Sequence, residues 1–234
     1  MVERWVKGKK SGSKSRSVPL SETIYHEIKR RILENEYPPG FQALEMSMAA
    51  DFSASRTPVR EALLRLEKER LVEIIPRHGM RVLPISADDM LEIYQVMTNL
   101  ESLVVELIAT RKPADAELRP LEDATRQMQQ ALDADDLDAW TEADDRFHRK
   151  MIEMAGNKRL AAIVNEFWDQ THRAQRVTIR LRKKPERSTA NHIRLVDAFR
   201  RGDPARARKI HETQRRTSHA ELIDILARYH LRQF

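Results

Sequence analysis

The sequence contains no cysteine, only six glycines, and aromatic residues at 6% of its 234 positions. Without cysteine the chain can form neither a disulfide framework nor a thiolate metal site, which agrees with a reducing compartment. No run approaches the ~20 apolar residues that a membrane-spanning helix needs. No apolar stretch follows the N-terminal charges as it would in a secretory signal. These absences predict a cytoplasmic protein with no membrane partner.

Basic residues outnumber acidic ones, 42 against 36, and the formal net charge is +6. A cationic chain favours polyanionic partners, because phosphate contacts release condensed counterions, although a charge of this size is not decisive alone. Part of the excess lies in a Gly/Ser-rich tail, and we predict that residues 1–18 form a disordered basic arm. A second basic cluster at residues 173–187 is interpreted as the polar face of a helix end.

A stretch in the first third of the chain has the pattern of an amphipathic helix with a cationic edge. Its apolar side chains recur at helical spacing: Val59, Ala62, Leu63 and Leu66. Arg56 and Arg60 are four residues apart and share another side. Pro58 suits a first turn and Ser55 or Thr57 can cap it, so the arginines belong to the N-terminal turns. A solvated helix edge and a DNA-reading helix both fit this pattern, and an arginine there can contact guanine or phosphate.

The flanking segments favour the DNA-reading interpretation. One helix is predicted over residues 20–36, and a second over residues 44–52, with only a tight turn before the arginine helix. Residues 71–75 and 80–83 read as two short strands joined by the turn at residues 76–79. Three helices followed by a basic-tipped hairpin make a winged helix-turn-helix.

These motifs resemble the DNA-binding domain of GntR-family bacterial transcription regulators. The resemblance rests on Tyr-Pro-Pro-Gly at 37–40, Ser-Arg-Thr-Pro-Val-Arg-Glu-Ala-Leu at 55–63, Leu-Val at 71–72 and Arg-His-Gly at 77–79. It implies that Arg56 and Arg60 read the operator, that Thr57 contacts the DNA backbone and that the wing tip at His78 and Gly79 enters a minor groove. The full DNA-binding set is Ser55, Arg56, Thr57, Arg60, Arg77, His78 and Gly79. Met46 replaces an arginine of the family's second helix. Arg70 replaces the usual glycine after the third helix, so a non-glycine residue has to adopt a left-handed conformation.

Beyond Pro84 the strand signals end and six amphipathic helices are predicted. They cover approximately residues 86–108, 116–132, 137–155, 160–167, 186–201 and 204–226. Ser86 and Asp136 can cap two of them, and Gly202 ends another. The predicted fold class is therefore mainly α, with an N-terminal winged helix-turn-helix (residues 19–84) followed by an all-α antiparallel six-helix bundle (residues 85–234).

Several polar side chains fall on the predicted core faces of this bundle. Asp144 and His148 are four residues apart and point the same way, and His192, His211 and Gln214 lie on the core stripes of later helices. A buried carboxylate among imidazoles is costly unless it is paired, and a divalent cation would satisfy all of them. A simple Asp–His hydrogen bond explains the same spacing, and the spacing alone favours that interpretation.

A second resemblance favours the cation over the simple Asp–His hydrogen bond. Asp-Asp-Arg-Phe-His at 144–148, Gly156-Asn157, His192 and Gly202-Asp203 resemble the FCD effector domain of the FadR-type GntR subgroup, in its VanR-like six-helix form. The resemblance implies a metal held by one aspartate and three histidines. Asp144, His148 and His192 match three of these positions. The fourth corresponds to Gln214, with His211 one turn earlier as a substitute. The donors suit zinc, nickel or manganese.

The FCD resemblance also implies a small carboxylate effector beside the metal. Met97 stands where the family has a carboxylate-binding arginine, and we predict effector contacts at Met97, Glu101 and Asn165. The predicted function is thus a metabolite-responsive transcriptional regulator, in the usual family case a repressor. A homodimer follows because one recognition helix reads few bases, whereas two related by a two-fold axis read a palindromic double-stranded operator.

Two alternatives remain open from the sequence. In a metal-responsive regulator the cation itself would be the signal. In a metal-dependent hydrolase or lyase, Asp144, His148 and His192 would hold a catalytic ion, with the winged helix as an accessory. The motif offers no evident general base, although Glu101 or Asp145 could lie nearby.

Overall fold

The computed structural model describes residues 18–228, so all but the last residue of the predicted basic arm lies outside it. The N-terminal part contains α1 (Leu20–Leu33), β1 (Gln42–Ala43), α2 (Glu45–Asp51), α3 (Arg56–Lys68), β2 (Val72–Ile75) and β3 (Gly79–Val82). The C-terminal part contains α4 (Ala87–Arg111), α5 (Asp115–Asp133), α6 (Leu137–Met154), α7 (Lys158–Thr178), a 3-10 turn (Ile179–Leu181), α8 (Glu186–Arg201) and α9 (Pro204–Arg228). None of these helices is long and apolar enough to cross a membrane.

The first six elements form a winged helix with its own core. The apolar stripe predicted on α3 is buried against the stripes of α1 and α2 and against the sheet. The three strands are antiparallel in the order β1-β3-β2. The sequence analysis did not predict β1, because two residues are too few to show an alternating pattern.

Gly79 allows the wing to pair closely with β1. Its φ is +81°, and a Cβ at this position would lie 2.1 Å from the Ala43 carbonyl oxygen. Only glycine accommodates both the left-handed backbone and this close approach. Arg70, just beyond α3, also has a positive φ of 56°, as predicted for the non-glycine residue at the end of the recognition helix.

The six later helices pack into a bundle around a second core. Helix α4 packs against α9, and α5 packs against α6 and α8. The caps predicted for two bundle helices are formed: Ser86 Oγ accepts from the Asp89 N–H at 3.3 Å, and Asp136 Oδ1 accepts from the Ala139 N–H at 2.9 Å. At α3 the prediction is wrong, because Ser55 is the N-cap residue but its side chain makes no cap hydrogen bond. The predicted fold class, a winged helix followed by an all-helical bundle, is confirmed.

Helix α7 of the bundle also contacts the winged helix. Lys29 Nζ on α1 lies 2.5 Å from Asp169 on α7 and 2.7 Å from Glu69 at the end of α3. One turn further along α7, Arg173 donates to the Leu83 carbonyl oxygen at 2.9 Å. Arg173 is only 3% exposed. The interpretation of residues 173–187 as a polar helix face is therefore wrong for Arg173, which lies at the junction of the two domains.

Candidate DNA-binding surface and metal centre

The N-terminal turns of α3 expose the two arginines singled out by the sequence. The Arg56 and Arg60 side chains are 68% and 64% exposed. Glu45 on α2 lies 3.4 Å from Arg56 and 3.9 Å from Arg60, so the ion pairing is loose. Ser55 is the N-cap residue of α3 and, like Thr57, is exposed. Both guanidinium groups are therefore accessible to phosphates or to base edges.

The turn of the β2–β3 hairpin lies beside this helix end. Arg77 and His78 occupy the turn and are exposed, whereas Gly79 is buried at the start of β3. Arg56, Arg60 and Arg77 line one groove between α3 and the wing. The structure thus brings the predicted cations to one surface, while the buried position of Gly79 indicates that it supports the wing.

Three side chains with metal-ligating atoms converge inside the bundle. Asp144 and His148 lie on successive turns of α6, and His192 lies on α8. The His148 and His192 Nε2 atoms are 3.1 Å apart, and they lie 3.7 and 3.4 Å from Asp144 Oδ1. Ligand atoms around a tetrahedral zinc are roughly 3.4 Å apart when each bond is ~2.1 Å long. The spacing of the three atoms therefore matches a shared cation.

The hydrogen bonds around this group test whether it suits a cation. Asp144 Oδ1 is buried and has no hydrogen-bond partner within residues 18–228, while Oδ2 accepts from Gln175 at 2.9 Å. His192 Nδ1 donates to the Ser188 carbonyl oxygen at 2.6 Å, which leaves the Nε2 lone pair directed inward. Burial lowers the pKa of both His148 and His192, so these imidazoles are neutral. Neutral imidazoles and an unpartnered carboxylate oxygen fit a divalent cation, which would replace the hydrogen bond between His148 Nε2 and His192 Nε2.

Neither candidate for the fourth ligand joins the group. The Gln214 amide donates to Ser188 Oγ at 2.9 Å and accepts from Asn191. His211 Nε2 lies 3.4 Å from Glu101 and is not among the ligand atoms of Asp144, His148 and His192, which all lie within 4.8 Å of one another. A cation with three protein ligands keeps a coordination position for a small molecule.

An ion pair between a buried carboxylate and a partly buried arginine, which the sequence analysis missed, lies beside the group. Arg215 Nη2 on α9 is 2.5 Å from Glu101 Oε1 on α4 and 3.3 Å from His148 Nδ1. Burial acts to raise the pKa of Glu101, but Arg215 and His211 outweigh it and hold the pKa at about 2. Arg215 follows His211 by four residues and so shares its helix face, which is the signal that could have identified it.

Arg215 and the three candidate ligands border a cavity of about 60 Å³ lined by the bundle helices. One water molecule needs roughly 10–15 Å³ of such space, so the cavity suits a hydrated ion or a very small organic acid. Among the predicted effector contacts, Met97 is buried in the core but does not border this cavity. Asn165 is exposed on α7 and is also absent from the lining. Glu101 reaches the cavity through Arg215.

Comparisons with known protein families match both parts of the chain. Residues 20–82 match the family described as bacterial regulatory proteins, gntR family, and residues 92–230 match the FCD domain. An HTH-type transcriptional regulator in the TAR-I ttuE-ttuC' intergenic region of Agrobacterium vitis is 38% identical, over 62% of this chain and 86% of its own length. The gluconate operon transcriptional repressor of Bacillus subtilis is 27% identical, over 78% of this chain and 76% of its own length.

A solved structure shows the same fold. The structure of E. coli McbR/YncC superimposes with a TM-score of 0.76 at 19% identity, covering 89% of this chain and 99% of that one. The matched family and the relatives are transcriptional regulators and not enzymes, so the hydrolase or lyase alternative is discarded.

Proposed function

Because this chain belongs to the gntR family of bacterial regulatory proteins and carries an FCD domain, and is thus a DNA-binding transcriptional regulator, we propose how it is controlled. It acts in the cytoplasm as a homodimeric repressor on a palindromic operator. A small organic acid that binds beside a divalent cation in the bundle releases it from DNA. A repressor name among its relatives supports the direction of control.

One observation carries this proposal: α7 has one face on the bundle cavity and another on the winged helix. Trp168, Thr171, His172 and Gln175 line the cavity. Asp169 and Arg173 on the same helix contact Lys29 and the Leu83 carbonyl of the DNA-binding domain. A ligand that shifts α7 therefore changes the position of the winged helix, and control requires different ligand affinity in the DNA-competent and incompetent states.

Asp144, His148 and His192 would hold the cation, which is zinc, nickel or manganese. The ion would supply a Lewis-acidic position for a carboxylate oxygen of the effector. Arg215 lines the same cavity, and its Nε is buried without a hydrogen-bond partner in the described part of the chain. Arg215 thus replaces, from α9, the carboxylate-binding arginine that is absent at Met97.

The outer face of α4 supports dimerisation. Val96 and Leu103 are seven residues apart on this helix, and they are 46% and 40% exposed. Residues at this spacing share a helix face, and a two-fold axis would bury them against the same residues of a second copy. Two α3 helices related by that axis would read the two halves of a palindrome.

A second candidate function is favoured by the small size of the cavity. At about 60 Å³ the space has room for an ion and little more. In this case the cation itself is the signal, and the winged helices respond to metal without any organic effector.

The test begins with operator duplexes selected from a random pool by the purified protein. Operator affinity is then measured for a panel of small organic acids, with and without zinc, nickel or manganese, and the bound metal is quantified. We expect one metal ion per chain and acid-dependent release only in its presence. His148→Ala should lose both, whereas His26→Ala, an exposed histidine on α1, should keep both.

The outcomes separate the candidates. Release by metal alone would establish the second function. Unchanged metal stoichiometry in His148→Ala, or acid-dependent release that is insensitive to chelation, would contradict the proposed site.

A further inference from the structure

Arg173 is a buried cation that the proposed function does not use as a binding group. Its Nη1 donates to the Leu83 carbonyl oxygen, but its Nε and Nη2 atoms are buried and have no hydrogen-bond partner within residues 18–228. Burial lowers its pKa to about 10, and among the described residues no carboxylate offsets this loss of solvation. A buried guanidinium with unpaired donors is costly, so these donors call for a partner.

Arg173 lines a cavity between the two domains. This junction cavity has a volume of about 370 Å³ and lies apart from the bundle cavity. Its polar lining consists of Arg70, Ser86, Asp89, Gln170 and Arg173. It is bordered by the end of α3, the interdomain linker, the first turn of α4 and α7.

The charges around the junction cavity favour an anion. Two arginines and one aspartate line it, so the formal charge of the lining is +1. Asp89 would repel an anion, but Arg70 lies 3.9 Å from this carboxylate and offsets the repulsion. The 25-residue helix α4 also begins here, so the positive end of its dipole lies at the cavity together with the first-turn carboxylates Asp88 and Asp89.

We propose that the junction cavity binds a small oxyanion, the carboxylate of an organic acid or inorganic phosphate, through the Nε–Nη2 edge of Arg173. These two N–H groups point from the same edge of the guanidinium plane, and that edge pairs with two oxygens of one oxyanion. Because Nη1 is already held by Leu83, the orientation of the free edge is fixed. This site involves different residues from the metal centre and does not depend on the proposed metal.

The position of the site gives it a consequence for both domains. Arg173 belongs to the bundle, while Arg70 follows the recognition helix and Leu83 follows the wing. An anion bound between them ties the two domains together. Binding therefore raises the thermal stability of the protein and changes its operator affinity.

The test titrates the full-length protein with inorganic phosphate and, separately, with malonate, at constant ionic strength maintained with chloride. The readouts are the melting temperature and the dissociation constant from calorimetry. We expect saturable binding with at least one probe. Arg173→Gln should weaken it by about tenfold or more, equivalent to one lost charge-assisted pair. Arg173→Lys keeps the charge but loses the two-pronged edge, so it should weaken binding as well.

Two controls isolate the site. Arg176→Gln removes the same charge from α7 but at a position outside the junction cavity, so it should bind as the wild type does. His148→Ala disables the metal centre and should also retain binding. A response to malonate alone assigns the site to carboxylates, and one to phosphate alone assigns it to phosphate. Equal binding by wild type and Arg173→Gln, loss of binding in His148→Ala, or no saturable response to either probe would overturn the proposal.

Discussion

In the winged helix Arg56 and Arg60 hold their guanidinium groups in solvent, whereas in the bundle Arg173 and Arg215 are withdrawn from it. The exposed pair has only loose contacts with Glu45. The buried pair is held by the Leu83 carbonyl oxygen and by Glu101, and each guanidinium keeps at least one unpaired nitrogen. Exposed charges cost little in the free protein and remain available to a large polyanion. Buried charges have to be compensated internally, so they suit small ligands and couple binding to stability.

The largest expected effect comes from removing the carboxylate of Glu101 that pairs with Arg215. Glu101→Gln would leave the largely buried guanidinium of Arg215 without its counterion, and we expect the free energy of unfolding to fall by about 3–5 kcal/mol. The double variant Glu101→Met/Arg215→Met should recover most of this loss, because no unpaired charge then remains. Chemical denaturation measures both changes.

Glu106→Gln provides the matched control for this experiment. Glu106 lies on the same helix α4 and pairs with an α9 arginine, Arg208, but at the surface. Its removal should change stability little. Equal losses in Glu101→Gln and Glu106→Gln would show that burial does not distinguish the two pairs.

The exposed arginines should behave in the opposite way. Arg60→Ala should leave folding unchanged and weaken specific operator binding by roughly 1–3 kcal/mol, with the loss concentrated at particular bases. Arg65→Ala is the control and should keep operator affinity. Arg65 lies on the same helix, but its guanidinium stacks on the Tyr25 ring at 3.6 Å and pairs with Glu22. A uniform loss on all sequences, with a shallower salt dependence, would assign Arg60 to phosphate contact.

The buried histidines make the bundle sensitive to acid. Burial and Arg215 lower the pKa of His219 to about 3. Its unfolded pKa is higher, so its contribution to stability is complete above about pH 6.5 and is lost as the pH falls toward the folded value. Relative to His219→Gln, the wild type should lose about 1.4 kcal/mol per pH unit between about pH 6 and 4. Parallel stability–pH curves for the two proteins would contradict this.

The smallest effect is expected at the left-handed residue after α3. Arg70 has a φ of 56°, which glycine adopts without strain. Arg70→Gly should therefore raise the free energy of unfolding by about 1 kcal/mol or less, whereas Arg70→Ala should not. A loss of stability in Arg70→Gly would mean that contacts of the arginine side chain outweigh the backbone strain.

The same contrast between surface and interior explains what the sequence could predict. The arginines predicted to bind DNA lie within a few residues of one another on one helix, so spacing alone placed Arg56 and Arg60 on a common edge. Ser86, Asp136 and Gly202 likewise marked helix ends through local chemistry. Element bounds were accurate where such signals exist, and α8 has the predicted range. They were wrong for α7, which was predicted to end near Phe167 but continues to Thr178.

The interior sites depend on contacts between distant segments. Asp144 and His148 could be paired by helical spacing, and the FCD resemblance added His192. The partnership of Glu101 with Arg215 spans 114 residues and leaves no local pattern. Asn165 was placed toward the effector but is exposed on α7. In the sequence Arg173 belongs to a basic cluster and was interpreted as a surface residue. In the structure the neighbouring domain covers it.

The central claim is that the metal centre and the DNA-binding surface are coupled through α7. The most direct measurement is the metal affinity of the protein free and bound to its operator, together with operator affinity with and without metal, all in the presence of the releasing acid. The account predicts that the operator changes metal affinity by the same factor as metal changes operator affinity, because coupling between two binding sites is reciprocal, and that this factor differs from one. Metal affinity that is identical in the free and operator-bound protein would contradict it.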